Sequence, residues 1–184
     1  METTKLTCLT PSPLGAILLV SNPQGDALCG LYLERQKYFP QDAARWTESP
    51  RLPLFHKAIA QLGEYFAGAR TTFTLPLVPD GTPFQRDVWS AIGRVPFGET
   101  ITYGDLARQC GRPAAVRAAG AATGRNPLTI VVPCHRIVGS GGALTGYAGG
   151  LDRKRALLDL EARQATGARN GLEARHAAHA RDAA

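Results

Sequence analysis

The sequence predicts an α+β fold in two parts: a β-meander with one helix, then a helical part that contains a helix-turn-helix. Short apolar runs separated by Pro- and Gly-containing turns predict the meander, with strands at 6–10, 16–21 and 27–33. Apolar residues at three- and four-residue steps predict a helix over 52–66. Thr82-Pro83-Phe84-Gln85 reads as a capping box with proline at the first helical position, so a second helix begins there.

The two parts are predicted to be joined by a short linker. Residues 35–50 are polar and are predicted to be a loop, whereas alternating apolar residues over 73–77 predict an edge strand. Three Pro and Gly residues within 75–81 are typical of a linker. We therefore expect an N-terminal α/β domain at 1–79 and a C-terminal domain at 80–165.

A helix-turn-helix is predicted from Thr102, with one helix over 102–109 and a second that begins at Pro113 and ends near Thr123. The second helix is rich in alanine and lacks the Asn and Gln side chains that read bases in the major groove. Small side chains allow close approach to DNA, which favours binding in the minor groove. The alternative is a tightly packed core helix, although that does not explain Arg117.

The remaining elements follow the same logic. Residues 129–132 are predicted to be a strand, and the six glycines within 139–150 predict a loop that approaches a ligand closely. A last helix is expected from Asp152 to about Gln164, with residues 166–184 as a flexible tail.

Composition and charge restrict the function. The chain of 184 residues is 44% hydrophobic, as in globular proteins, and no apolar run reaches the ~18 residues of a transmembrane helix. Without a signal sequence either, a cytoplasmic protein is expected. Residues 1–80 hold 7 Lys/Arg and 7 Asp/Glu, whereas 81–184 hold 14 and 8, so the whole net charge of +6 lies in the second part. A basic half of this kind favours a nucleic-acid partner.

Cysteine spacing argues against a disulfide framework or a metal site. The four cysteines stand at 8, 29, 110 and 134, without a Cys-x-x-Cys pair. Only His56 accompanies Cys8 and Cys29, which is fewer ligands than structural zinc requires. The sequence therefore predicts no metal and no cofactor.

Candidate chemistry concentrates at Cys134, which is followed by His135 and Arg136. A thiolate is a far better nucleophile than a thiol, and neighbouring cationic or basic groups lower the pKa of a cysteine. The pattern indicates an activated nucleophile, with a buried structural cysteine as the alternative.

Several ordered motifs resemble the O6-alkylguanine-DNA alkyltransferases, also called methylated-DNA–protein-cysteine methyltransferases. They are Gly-Thr-Pro-Phe-Gln-Arg-Asp-Val-Trp (81–89), Pro-Phe-Gly-Glu-Thr-Ile-Thr-Tyr-Gly-Asp-Leu-Ala (96–107), Gly-Arg-Asn-Pro (124–127), Pro-Cys-His-Arg-Ile (133–137), Gly-Tyr-Ala-Gly-Gly (146–150) and Leu-Leu-Asp-Leu-Glu (157–161). The resemblance is dense over 80–162 and loose before it. It implies a ribonuclease-H-like N-terminal domain and a winged-helix-like helix-turn-helix in the C-terminal one.

The resemblance also implies a role for each site residue. Cys134 would accept the alkyl group, His135 would act as base through a water, Glu161 would orient His135, and Asn126 would hold the turn before Cys134. The residues expected to contact substrate or DNA are Tyr103, Arg117, Arg136, Leu144, Tyr147 and Ala148. Ala148 stands where many relatives have Ser.

The resemblance implies repair in one irreversible turnover. The partner would be double-stranded DNA carrying O6-alkylguanine or O4-alkylthymine, bound by a monomer through the minor groove with the damaged base flipped out. Two alternatives remain: a DNA-damage binding module without catalysis, which would lack Cys134, and a cysteine hydrolase with a Cys-His-Glu triad.

Overall fold

The N-terminal part is a four-stranded sheet covered by one helix. A computed structural model describes residues 4–182, and their side chains as far as Gly167. The strands are β1 (Leu6–Thr10), β2 (Ile17–Ser21), β3 (Leu28–Leu33) and β4 (Thr47–Glu48), in the order β3-β2-β1-β4. The first three form the expected antiparallel meander, and β4 adds to β1 in parallel within the segment predicted to be loop.

Helix α1 (Pro53–Phe66) follows the sheet, and its buried face belongs to the same core as Ile17, Leu19 and Leu31. Pro53 begins the helix. Because proline has no backbone N–H, it leaves no unpaired donor in the first helical turn. The buried residue nearest the end of α1 is Tyr65, whose side chain points towards the C-terminal part.

The C-terminal part consists of α2 (Pro83–Gly93), α3 (Tyr103–Gln109), α4 (Val116–Gly124) and α5 (Leu151–Asp182). Capping boxes begin both α2 and α3, at Thr82 and Thr102. Helices α3 and α4 form the expected helix-turn-helix and pack against α2. Two short parallel strands, β5 (Ile101–Thr102) and β6 (Ile137–Val138), join the start of α3 to the segment after Cys134.

Two predicted strands and two predicted helix boundaries are wrong. Residues 73–77 are not a strand, since only Leu77 forms a bridge, to Leu28. Residues 129–132 are not a strand either, because Ile130 has a φ of 74° and turns the chain. Helix α4 begins at Val116 and not Pro113, because residues 112–115 close a turn. Helix α5 continues past Gln164 to Asp182; the flexibility expected of residues 166–184 stays a prediction.

The two parts pack against each other around one core. Backbone N–H of Leu31 donates to Pro127 (2.7 Å), and Thr129 donates back to Leu31 (3.0 Å). Arg153 of α5 donates to the carbonyl oxygens of Leu14 and Glu34 (both 2.9 Å). The α+β class is confirmed. None of the helices in the described part combines the length and apolar character needed to cross a membrane.

Candidate active site

Cys134 begins a single turn of 3-10 helix, Cys134–Arg136, and is 4% exposed. The side-chain amide of Asn126 donates to the carbonyl of Val132 (2.8 Å) and approaches Sγ of Cys134 at 3.2 Å. Its oxygen accepts from the backbone N–H of Leu128 (3.0 Å). Asn126 therefore closes the loop that leads to the cysteine, in the position that its expected role requires.

His135 and Glu161 form a buried pair beside the cysteine. Nε2 of His135 lies 2.8 Å from Oε1 of Glu161, and both side chains are at most 1% exposed. Burial alone would raise the pKa of Glu161, but hydrogen bonds from His135 and Arg136 outweigh it and lower the pKa to about 2. The carboxylate is therefore ionised and accepts the Nε2 proton, which leaves Nδ1 of His135 with its lone pair.

Nδ1 of His135 has no hydrogen-bond partner in the described part of the chain, although it is fully buried. Burial lowers the pKa of His135, against the opposing effect of Glu161. The imidazole is therefore neutral around pH 7, and Nδ1 is free to accept a proton. This is the arrangement expected of a base that acts through a water.

Glu161 is held by further donors that the sequence patterns did not indicate. The hydroxyl of Tyr65 donates to Oε1 (2.7 Å), and the backbone N–H of Gly98 donates to Oε2 (3.1 Å). Arg136 donates through Nε and Nη2, both at 2.9 Å. Tyr65 lies 96 residues from Glu161 in the chain, so no local pattern could have linked them.

The role of Arg136 in contacting DNA stays a prediction, and the contacts that the structure describes for its side chain are internal. Its guanidinium is 8% exposed, is paired with Glu161, and also donates to the carbonyl of Val95 at 2.6 Å. The ring of Phe97 lies against it, 5.6 Å from centroid to Cζ. With its donors used inside the protein, Arg136 stabilises the buried carboxylate.

The thiol of Cys134 is not activated in the way the sequence suggests. Burial raises its pKa to about 11, and the Asn126 amide and the charge of Lys154 offset this only in part. The resting group is therefore a protonated thiol, because desolvation of the charged form outweighs the nearby positive charge. Deprotonation must accompany the reaction.

Lys154 is a further residue of this cluster that the sequence patterns did not indicate. It is 0% exposed, and its ammonium donates to the carbonyls of Ile137 (2.6 Å) and Thr145 (2.8 Å). Burial lowers its pKa to about 8. Lys154 thus fixes the glycine-rich loop and places a positive charge near Cys134. Its place in the sequence, within the charged run Asp152-Arg153-Lys154-Arg155, gives no sign of this burial.

A cavity of about 370 Å³ lies beside this cluster. Its walls are Lys37, Tyr38, Tyr103, Gly120, Ala121, Gly124, Gly146, Tyr147 and Ala148. Tyr103 donates its hydroxyl to the carbonyls of Thr145 (3.3 Å) and Gly146 (3.1 Å). Burial first, and then the charge of a Cys134 thiolate, raises the pKa of both Tyr103 and Tyr147.

Three of the six expected contact residues line this cavity: Tyr103, Tyr147 and Ala148. Leu144 is half-buried in the same loop but does not line the cavity. Arg117 is exposed on α4, on the outer side of the helix-turn-helix. A larger cavity of about 580 Å³ lies elsewhere, between Phe73, Trp89 and Phe97, and of the expected site residues only Arg136 lines it.

Within the described residues, no group of three or more His, Cys, Asp or Glu side chains is arranged to hold a metal ion. Cys8, Cys29, Cys110 and Cys134 are all free thiols. The expectation that the protein needs no metal and no cofactor stays a prediction.

A cysteine beside a His–Glu pair, next to a helix-turn-helix, defines a class of DNA-binding protein with a cysteine nucleophile. Residues 83–163 match the model of the 6-O-methylguanine DNA methyltransferase DNA-binding domain, and residues 6–79 match that of the ribonuclease-like domain of the same family. The chain belongs to this family.

Close relatives agree with the family models. The methylated-DNA–protein-cysteine methyltransferase of Mycolicibacterium paratuberculosis is 49% identical over 83% of this chain and 89% of its own length. That of Methanosarcina acetivorans is 45% identical, over 82% and 94%. The activity is accordingly that of a methylated-DNA–protein-cysteine methyltransferase, and the protein repairs DNA by alkyl transfer to a cysteine.

The fold has close counterparts among solved structures. A crystal structure of Mycobacterium tuberculosis OGT in complex with DNA superposes with a TM-score of 0.79 at 43% identity, over 86% of this chain and 94% of that one. The M. tuberculosis O6-methylguanine methyltransferase superposes with a TM-score of 0.77 at 45% identity, over 88% and 93%. That relative binds DNA, and the DNA-binding domain matched over residues 83–163 indicates that this protein is a DNA-binding protein.

Proposed function

We propose that the protein repairs O6-alkylguanine in duplex DNA by moving the alkyl group to Sγ of Cys134. The observation that carries this assignment is the unpaired Nδ1 of His135, oriented by the ionised Glu161 beside the thiol. A base that is neutral, buried and fixed by a carboxylate is the component that a protonated cysteine requires.

The reaction begins with proton removal. The Cys134 thiol gives its proton to a bridging water, which passes a proton to Nδ1 of His135. The sulfur lone pair then forms the S–C bond, and the electron pair of the breaking C–O6 bond moves to the guanine oxygen. Glu161 stabilises the resulting imidazolium through the Nε2 hydrogen bond, and Asn126 holds the sulfur in place.

The leaving guanine takes a proton from Tyr103. Burial raises the pKa of Tyr103, so the hydroxyl keeps its proton until negative charge develops on the ring of the leaving guanine. The hydroxyl bond rotates away from the carbonyls of Thr145 and Gly146 to reach the base. Transfer is irreversible, because a thioether is neither hydrolysed by water nor exchanged with other thiols.

The damaged base reaches the site by leaving the duplex. The cavity accepts the flipped base between Tyr103 and the backbone of Tyr147 and Ala148, while α4 lies in the minor groove and Arg117 fills the gap in the stack. Flipping costs a few kcal/mol and is least costly for a damaged base pair, which favours lesions. O4-alkylthymine offers the same alkyl–oxygen bond and is the second substrate.

We further propose that the protein acts as a monomer, without metal or cofactor, in the cytoplasm, where DNA is its substrate. The relay contains its own proton acceptor, so nothing in the steps above calls for another group. A chelator present throughout the assay should leave the rate of transfer unchanged.

Intact-protein mass spectrometry tests the assignment. With excess O6-methylguanine duplex, we expect one added methylene per protein, on the peptide that contains Cys134, and no second turnover. Cys134→Ser should bind the duplex but transfer very slowly, whereas Cys110→Ser, a control at a half-buried thiol, should react as the wild type does. Repeated turnover would indicate a hydrolase, and a mass gain at another cysteine would refute Cys134.

A further inference from the structure

We propose that Lys37 and Arg125 bind a backbone phosphate next to the flipped nucleotide, at a site held together by Tyr38. The N-terminal part of the chain would thus take part in DNA recognition, in addition to the helix-turn-helix. This inference rests on the proposed function, because it assigns the nucleotide's phosphate to the mouth of the cavity that accepts the base.

The segment that carries Lys37 and Tyr38 is fixed against the C-terminal part. The backbone N–H of Lys37 donates to the carbonyl of Ala148 (2.8 Å), which also lines the cavity. The preceding Gln36 is 5% exposed, and its side-chain oxygen accepts from the backbone N–H of Leu33 (2.8 Å) and the hydroxyl of Thr129 (3.2 Å). The position of the segment is therefore set before any ligand binds.

The backbone of this segment is also strained. Arg35 and Tyr38 have φ values of 58° and 61°, in the left-handed region that residues other than glycine seldom occupy. Such strain persists only where the surroundings impose it, and it concentrates at ligand-binding sites. Here it turns the Tyr38 ring, 46% exposed, towards the cavity that it lines.

Two cations share this ring. Nζ of Lys37 lies 5.0 Å from the centroid of Tyr38, and Cζ of Arg125 lies 4.7 Å from it. The charges are therefore no more than about 10 Å apart and repel each other weakly, because salt at physiological ionic strength screens charges over about 8 Å. No carboxylate belongs to the described residues that line the cavity. An anion bound between Lys37 and Arg125 would relieve this repulsion.

A backbone phosphate is the anion that fits. Both cations are exposed: Lys37 lines the cavity, and Arg125 lies against the ring of Tyr38, which also lines it. The walls carry aromatic rings and glycines, which suit a neutral base. A base that enters this cavity is followed by its sugar and phosphate, which then lie at the mouth. Arg and Lys are the usual partners of phosphate oxygens in DNA complexes.

The test compares Lys37→Ala, Arg125→Ala and the double variant on two substrates. With O6-methylguanine duplex, the double variant should lose roughly tenfold in the second-order rate constant, and the slope of log K against log salt should fall by about 1 for each cation removed. With free O6-benzylguanine, which has no phosphate, the loss of rate should be several-fold smaller than on the duplex for each variant. Lys37→Arg, which keeps the positive charge, should react with the duplex at the rate of the wild type.

Lys57→Ala is the matched control, because Lys57 is exposed on α1 and does not line the cavity. Equal losses on duplex and free base would show that the cluster only supports the fold, and would overturn the proposal. An unchanged salt slope would overturn it too. The reaction of the wild type with free O6-benzylguanine reports alkyl transfer by itself, so a failure of the proposed function is recognised separately.

Discussion

At the scale of single residues, the site depends on one buried carboxylate. Glu161 accepts from His135, Arg136, Tyr65 and the backbone of Gly98, so its charge is compensated although it is 1% exposed. The sequence predicted the pair of Glu161 and His135 from a resemblance. The supporting donors could not be predicted. Tyr65 lies 96 residues away in the chain, and an arginine such as Arg136 is normally exposed.

Arg136→Ala should lower the free energy of unfolding by about 3–5 kcal/mol, because it leaves a buried carboxylate without its strongest partner. Urea denaturation measures the loss, and Arg155→Ala on the exposed face of α5 is the control. Affinity for undamaged duplex, measured at a temperature where the variant is folded, should be unchanged. A stable variant with weakened duplex binding would return Arg136 to the DNA contact predicted from the sequence.

The rate of transfer to Cys134 should stay constant as the pH falls from 7.5 to below 6.5. The pKa of His135 is lowered from its ordinary value of 6.5, mainly by burial, so Nδ1 takes a proton from solvent only at lower pH. Free O6-benzylguanine is the substrate of choice, since DNA binding itself changes with pH. A rate that halves at or above pH 6.5 would contradict the neutral, buried base.

At the scale of elements, local patterns located the helices well and the loop before Cys134 poorly. The capping box predicted at Thr82 begins α2, and the helix predicted from Thr102 begins there with a capping box of its own. Residues 129–132 look like a strand because they are apolar, yet Ile130 turns the chain and the Asn126 amide closes the loop through Val132. Those contacts are tertiary, and apolar character alone does not reveal them.

Arg117→Ala tests the part that α4 plays in flipping. It should slow repair of a methylated duplex about tenfold, if filling the vacated stack supplies part of the few kcal/mol that flipping costs. It should leave the reaction with free O6-benzylguanine unchanged. Arg163→Ala, exposed on α5, provides the control. Equal losses on both substrates would exclude Arg117 from flipping and favour the interpretation of α4 as a packed core helix.

At the scale of the whole molecule, the sequence predicted two domains, and the structure shows how strongly they depend on each other. The N-terminal part supplies Tyr65 as a donor to Glu161, and it supplies Lys37 and Tyr38 to the cavity wall. Backbone bonds between Leu31 and the loop before Cys134 join the sheet to the site. Composition shows that the first part is neutral and the second is basic, but this difference in net charge gives no indication of the shared core.

The two parts should therefore unfold in one cooperative transition. In Trp46→Phe, fluorescence of the buried Trp89 reports the C-terminal part, whereas far-UV ellipticity reports both. Their urea midpoints should coincide. Tyr65→Phe should lower both midpoints together. The shift should correspond to a loss of roughly 1.5–3 kcal/mol in the free energy of unfolding, the value of a hydrogen bond to a charged group. The exposed Tyr38→Phe is the control. Separate midpoints, or a shift in ellipticity alone, would mean that the sheet and the site fold independently, and that Tyr65 adds little to the stability of the Glu161 cluster.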